Sequence, residues 1–196
     1  MFMKIYNTLS HKEEVFIPWE EGKVSFYTCG PTVYHYAHIG NMRNYIGHDI
    51  LDKTLRFIGF DVTRCMNITD VGHLTSDSDS GDDKMVASAK KEHKSVLDIA
   101  SFYTDAFFKD FDALNCKRPE IVSNATDNIE EYIKIITKLL EDGYAYKAGG
   151  NVYFDTSKLK DYYVLTNHKE DDMVVGARES VEYEERKKNQ ADFALW

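Results

Sequence analysis

The chain has 196 residues, of which 43% are apolar and 29% charged, with only three prolines; this is the profile of a globular chain of one domain, or one domain with an insert, and it excludes disorder, collagen and a disulfide scaffold. Folding at this length buries roughly 70% of the unfolded surface, so a core forms without metal or disulfide staples. Lysine and arginine number 24 against 33 acidic residues, a net charge of −9, which is the wrong sign for a chain whose main work is non-specific phosphate binding and confines any nucleic-acid contact to local patches.

No run approaches the roughly 18 apolar residues of a membrane span, and Met1-Phe2-Met3-Lys4 lacks the regions of a signal peptide, so a cytoplasmic location without membrane contact is expected. Cys29, Cys65 and Cys116 are odd in number and far apart, which suggests neither a disulfide framework nor a CxxC pair.

In chain order, Val15-Phe16-Ile17 and Lys23 to Thr28 read as two strands separated by the turn-like residues 18–22. After Cys29-Gly30-Pro31 a loop runs to His38-Ile39-Gly40. Met42, Tyr45, Ile46, Ile50, Leu55, Phe57 and Ile58 then recur near period 3.6, with Gly59 at C′, predicting a helix of about five turns. Residues 61–68 form the next strand, so strand, loop, helix and strand make a βαβ unit with a parallel pair. An open α/β sheet follows, with its ligand cleft at the strands' carboxyl ends, around Cys29 and Thr69-Asp70.

Residues 72–83 are polar, acidic and aperiodic and read as a loop. From Lys84 to Leu114 a helical pattern returns, as one helix or two broken near His93, with Val96, Ala100, Tyr103, Phe107, Phe111 and Leu114 on one face. Asp127 and Glu130 fit a capping box for a further helix that Gly143 ends, with Ile129, Ile133, Ile136 and Leu140 as its buried stripe. Residues 144–155, with Gly149-Gly150 at the centre, predict a tight hairpin, because paired glycines supply the positive φ angles of the turn. The charged run Glu182 to Lys188 reads as a solvated strap. The final Phe193, Leu195 and Trp196 need a partner surface and predict self-association of the chain on its own.

The densest chemical constellation is Cys29-Gly30-Pro31-Thr32-Val33-Tyr34 followed by His38-Ile39-Gly40-Asn41 at a helix start. His38 and Asn41, three apart, share the first turn, where free amides and the positive dipole end point, and both side chains can donate to phosphate oxygens. Gly40 lets a flat group approach the backbone. The plain alternative is a histidine helix cap with no ligand. Tyr34, Tyr36 and Tyr45 read as packing residues beside a helix start, and His48 and His93 as surface or packing histidines. The acidic residues Asp77, Asp79, Asp82 and Asp83 miss the register of a calcium loop.

Taken together, Tyr27 to Tyr34, His38 to Asn41 and Asn67-Ile68-Thr69-Asp70 closely resemble the cysteine-tRNA ligases, class I aminoacyl-tRNA synthetases, whose pattern is Cys-Gly-x-Thr-Val-Tyr, then HIGH, then Asn-Ile-Thr-Asp. The resemblance continues in order through Phe108 to Asn115, Arg118-Pro119, Ala125-Thr126, the hairpin, Gly176-Ala177-Arg178 and Asp192 to Trp196. It implies a Rossmann-like, HUP-type parallel-sheet nucleotide-binding domain, incomplete, over residues 1–117, and an α+β connective insert over residues 118–196.

By position, the resemblance makes Cys29 a Zn2+ ligand, with the zinc binding the thiolate of substrate L-cysteine, a soft contact that separates cysteine from serine. Gly30, Thr32 and Thr69 line the amino-acid pocket, and His38, Gly40 and Asn41 contact ATP, used with Mg2+. Asn41 stands where the family has a second histidine, so ATP contact is altered rather than lost. The family's other zinc ligands, its KMSKS loop and its anticodon-reading domain are C-terminal to the region matched, which brings in tRNA(Cys) and a C-terminal complement as partners. The rivals are a split or non-catalytic nucleotide-binding module, and a cysteine ligase acting on an amino sugar.

Overall fold

The computed structural model describes residues 3–71, 95–165 and 186–196. They fall into two compact units: residues 3–5, 14–71 and 95–127 in the first, and 6–13, 128–165 and 186–196 in the second. The chain opens on a two-stranded hairpin, β1 (Lys4–Asn7) and β2 (Lys12–Val15), with His11 at φ 55° in the turn. The strand expected at residues 15–17 therefore lies earlier. Phe16 closes the hairpin by donating its N–H to the Met3 carbonyl at 2.8 Å and packs edge-on against Phe60, while Ile17, next to the donor-less Pro18, is 81% exposed.

The first unit is built on a parallel sheet ordered β3 (Lys23–Thr28), β4 (Asp61–Ile68), β5 (Ile121–Asn124). Helix α1 (Ile39–Phe57) connects β3 to β4, and α2 (Val96–Ala113) lies between β4 and β5 in the chain. The βαβ unit is the one the sequence predicts. Strand β5 was not: its four residues are half-buried or exposed and weakly patterned, and only pairing with Cys65 to Ile68 makes them a strand. It belongs to the first unit, which runs as far as Asp127.

Along β4, Val62, Arg64, Met66 and Ile68 are buried, while Asp61, Thr63, Cys65 and Asn67 face outward, the period-2 alternation of a sheet covered on one face. Helix α1 turns Met42, Tyr45, Asp49, Asp52 and Leu55 inward. Ile50 and Phe57, expected on that face, are exposed at 59% and 88%, and two carboxylates lie inward instead. Asp49 accepts from the Lys117 N–H and pairs with Lys53, both at 2.7 Å. Asp52 pairs with Arg56, which also reaches the Val62 carbonyl and Glu120.

This charged layer, with the fully buried Arg64, lies between two apolar clusters. One holds Met42, Tyr45, Met66, Ile68 and the aromatic face of α2, and the other Val24, Leu55 and Val62. Burial opposes the charged form of Glu120, yet the Lys117 ammonium and the Arg64 N–H outweigh it and hold its carboxyl at about 2. The layer thereby ties the chain after α2 to α1 and positions β5.

In the second unit, α3 (Ile129–Glu141) leads into a meander of β6 (Ala145–Ala148), β7 (Asn151–Phe154) and β8 (Phe193–Ala194). Gly149 and Gly150 turn the β6–β7 hairpin at φ 58° and 90°, as their sequence predicts. The expected capping box of α3 does not form. Asn128 is the N-cap without a side-chain bond, and the Asp127 carboxylate accepts from Asn124 Nδ2 at 2.9 Å instead. Nor is the helix stripe buried: Ile133 is 49% exposed, and Ile129, Ile136 and Leu140 are half-buried. The final apolar run is used in part as β8, antiparallel to β7, with Phe193 stacked on Phe154.

The predicted loop at 72–83, the start of the second long helix with His93, Gly176 to Arg178 and most of the 182–188 strap lie outside the described residues. No helix among the described residues is long and apolar enough to cross a membrane.

Candidate active site at the carboxyl ends of β3 and β4

Strand β3 ends at the buried Thr28, and the next residue, Cys29, is exposed as a free thiol. Gly30 then passes so close to β4 that a Cβ would stand 1.7 Å from the Asn67 carbonyl oxygen and 2.7 Å from Met66 Cγ; only glycine fits. The chain follows the end of β4 for three more residues. Thr69 donates its N–H to the Pro31 carbonyl at 3.0 Å, Val33 donates to the Thr69 carbonyl at 3.1 Å, and Thr32 and Thr69 form a parallel bridge. Asp70, buried, accepts from the N–H and hydroxyl of Thr126 at 3.0 and 2.5 Å, which pins the end of β5 beside that of β4.

His38 is the N-cap of α1. Its Nδ1 accepts the Gly40 N–H at 3.0 Å, and Asn41 Oδ1 accepts the His38 N–H at 3.1 Å, a reciprocal capping box. An accepting Nδ1 places the imidazole proton on Nε2, a donor directed away from the cap. Likewise the Asn41 oxygen is committed to the cap, and its NH2 group is left to donate. Gly40 has a second reason to be glycine: a Cβ there would press on the His38 ring at 2.9–3.0 Å and displace the cap.

A cavity of about 270 Å³ brings Gly30, Thr32, His38 and Asn41 together, with Tyr45 and Phe107 behind them. Thr69 lies next to this wall, its backbone bridged to that of Thr32. Burial, and next the neighbouring Cys29 charge, push the Tyr45 hydroxyl up to about 12. Tyr45 is thus a neutral donor near the Cys29 thiol across the neutral pH range. The arrangement sets phosphate-compatible donors at a helix start beside a small polar pocket at the strand ends, the place where open parallel sheets bind ligands.

A family model described as tRNA synthetases class I (C) catalytic domain matches residues 15–196. The chain belongs to this family. The cysteine–tRNA ligase of Treponema denticola is 55% identical over 196 residues, covering 100% of this chain and 39% of the relative. That of Zymomonas mobilis is 49% identical over 191 residues, covering 97% and 36%, and that of Treponema pallidum 47% over 199 residues, covering 100% and 38%. The chain therefore spans about two fifths of the length of these curated relatives. Among solved structures, the Agrobacterium radiobacter LeuRS in a ternary complex with tRNA and LeuAMS is alike in fold, with a TM-score of 0.53 at 20% identity over 72% of this chain and 18% of that one.

In this synthetase catalytic domain the tyrosines near the helix start, read from the sequence as packing residues, all line the cavity; Tyr45 is buried, whereas Tyr36 is 53% exposed. Tyr45 lies edge-on to Phe107 at 5.0 Å, and Tyr36 to Tyr103 at 5.1 Å. Burial, and then the Arg64 charge, lower the His48 pKa, in keeping with a packing histidine.

The described residues do not by themselves fit a zinc ion. Zinc needs about four ligands, and no group of three or more His, Cys, Asp or Glu side chains among the described residues could hold a metal. His35, a conceivable companion of Cys29, is engaged by the Tyr36 carbonyl at 2.9 Å and stacked on Tyr103; His73 lies outside the described residues.

Sequence reasoning assigned no role to Asn67, although it is the last outward-facing residue of β4 and lies two residues before Thr69, which is just past the strand's end. That two-residue spacing was the available signal. Tyr103 and Phe107 of α2 were legible only as core residues, because nothing local indicates that α2 backs the cavity.

Proposed function

We propose that the chain is the N-terminal catalytic portion of a cysteine–tRNA ligase, in which ATP activates L-cysteine to the adenylate before transfer to tRNA(Cys). The observation that carries this reading is the match of the whole chain, at 42–55% identity, to curated proteins of that name. The first unit is then the first half of the catalytic fold and the second unit its connective insert. Three free cysteines and the lack of a membrane-crossing helix among the described residues fit a cytoplasmic enzyme.

Gly30, Thr32 and Thr69 form the wall that takes the amino acid. The His38 Nε2–H and the Asn41 NH2 donate to phosphate oxygens as the cysteine carboxylate attacks the α-phosphate and pyrophosphate leaves, while Mg2+ accompanies ATP. Their contribution is positioning and charge stabilisation rather than proton transfer. Gly40 holds the imidazole in its cap and keeps the helix start open to the nucleotide. The exposed Cys29 thiol is one soft donor suited to zinc, whose other ligands are not among the described residues, so no step is drawn through the metal.

The test is cysteine-dependent ATP–pyrophosphate exchange with zinc present, on the chain alone and mixed with a C-terminal complement. Exchange in the mixture supports a half-site completed by the complement, and exchange in neither removes the reading. In the active preparation, His38→Ala and His38→Ser should each raise the KM for ATP about tenfold, the loss of a hydrogen bond to a charged group. Serine still caps the helix, so recovery in His38→Ser alone would mean that histidine acts only as a cap. That Cys29 has no companion ligand among the described residues favours one alternative, a synthetase-like module that binds nucleotide without ligation, and nucleotide binding without exchange in either preparation would select it.

A further inference from the structure

We infer that Asn67 is a positioning residue of the amino-acid pocket: its carboxamide clamps the backbone beside Cys29 and commits the Thr69 hydroxyl to donate its proton to an anionic group of the substrate. The inference rests on the proposed amino-acid pocket and goes beyond it, by assigning the charge that Thr69 meets and the residue that dictates it.

Asn67 Oδ1 accepts the Gly30 N–H at 2.8 Å and the Tyr27 hydroxyl at 2.7 Å. A backbone N–H can only donate, so the amide cannot be turned the other way round. Its Nδ2 must then face Thr69, and it donates to Oγ1 at 3.1 Å. With one lone pair of Oγ1 taken by an N–H, the Thr69 proton has no use toward Asn67 and is presented elsewhere. Thr69 is half-buried, and its backbone is bridged to that of Thr32, which lines the pocket. The relay therefore runs in one direction, from the amide N–H to the threonine oxygen and from the threonine O–H to the ligand. Its terminus is a donor, and the matching ligand atom is an acceptor, for which a charged oxygen or sulfur is the strongest partner. An amino acid offers two, its carboxylate and a thiolate.

Because Asn67 also spans Gly30, the register of that terminus is tied to the backbone that presents Cys29. The Gly30 Cα faces the Asn67 backbone carbonyl with no room for a methyl group. A shift of either strand end would displace both contacts at once.

Asparagine and aspartate differ here in a way that isolates the relay. Asn67→Asp keeps the acceptor for Gly30 and Tyr27, and with it the fold, but replaces the Nδ2 donor by a second acceptor. Thr69 must then turn its proton toward residue 67 and offer the substrate only lone pairs, beside a new negative charge. In the full-length gene product, the KM for cysteine in pyrophosphate exchange should rise about 10- to 100-fold, with the KM for ATP within about twofold and the Gly30 amide still protected from hydrogen exchange. Thr69→Val, which removes the hydroxyl at nearly constant shape, should give a KM rise of the same order and stands in if Asn67→Asp fails to fold.

Competition by cysteamine, which lacks the carboxylate, separates the two anions. An inhibition constant that rises as much as the KM for cysteine assigns the donor to the thiolate, and an unchanged one assigns it to the carboxylate. Wild-type KM for cysteine in both variants overturns the inference while leaving the proposed function intact. Absence of exchange in the wild-type protein removes the proposed function itself, and the inference with it.

Discussion

Gly30→Ala is expected to be the most damaging single-methyl change in the first unit. The new Cβ would sit 1.7 Å from the Asn67 carbonyl oxygen and 2.9 Å from its carbonyl carbon, and these atoms belong to the central strand of the sheet. A flexible side chain can swing away from such an overlap, but a backbone carbonyl moves only if the ends of β3 and β4 part. The cost should exceed about 3 kcal/mol, above ordinary core overpacking. It should appear in urea unfolding as a lowered midpoint, and in hydrogen exchange as lost protection at Gly30, Val33 and Thr69.

The same substitution at Gly47 should have the opposite sign. Gly47 lies on the exposed face of α1 with nothing within 4 Å of an added Cβ, so alanine there removes only a helix penalty and should stabilise by about 0.5–1 kcal/mol. Equal effects of the two variants would mean that the close approach at Gly30 does not exist in solution.

The second large effect is expected at Asp192. Its side chain is 2% exposed and accepts from the Tyr146 hydroxyl at 2.7 Å, from the N–H and hydroxyl of Thr156, both at 2.9 Å, and from the Asn189 N–H at 3.0 Å. Burial alone would raise its pKa, but these donors outweigh it and hold the carboxyl below the usual range. Asp192→Ala leaves the buried N–H and hydroxyl of Thr156 and the half-buried donors of Tyr146 and Asn189 without their acceptor and should cost the second unit about 3 kcal/mol.

A carboxylate whose folded pKa is depressed stabilises above its unfolded value, near 4, and loses that stabilisation as pH falls through the folded value. The difference between wild type and Asp192→Ala should therefore be constant above about pH 5 and shrink on acidification below about pH 4. Trp196 fluorescence reports this unit once the fully exposed Trp19 is replaced by phenylalanine. A difference that does not change with pH would show that Asp192 acts through shape and not charge.

Much of the fold was legible because its signals are local. The β-branched and aromatic run Lys23 to Thr28, the 3.6-residue recurrence through α1 with Gly59 beyond it, and the Gly149-Gly150 turn each follow from the conformations open to a few neighbouring residues. The candidate site was legible for a related reason. His38 and Asn41 lie on one helical turn, and the strand ends at Cys29 and Thr69-Asp70 are where parallel sheets present ligands, whereas Gly30, Thr32 and Thr69 were singled out only by the family resemblance.

What escaped the sequence depends on partners distant in the chain. Ile121 to Asn124 become a strand only by pairing with Cys65 to Ile68, and nothing in four weakly patterned residues announces that. Asp127 was misread as a cap because Asn124 competes for its carboxylate. Asp49 and Asp52 occupy the inward face of α1, and Ile50 and Phe57 the outward face, because Lys53, Arg56 and the Lys117 N–H meet the carboxylates there.

By itself, then, the sequence determined the strand–helix–strand order, the tight turns and the residues gathered at the helix start, since propensity, periodicity and capping act within a few residues. Only the tertiary structure decided the third strand, the buried charge layer and the contacts of Asn67 with Gly30 and Tyr27. Each of these joins residues tens of positions apart, and such pairings form only once folding has removed the groups from water and left them to satisfy one another.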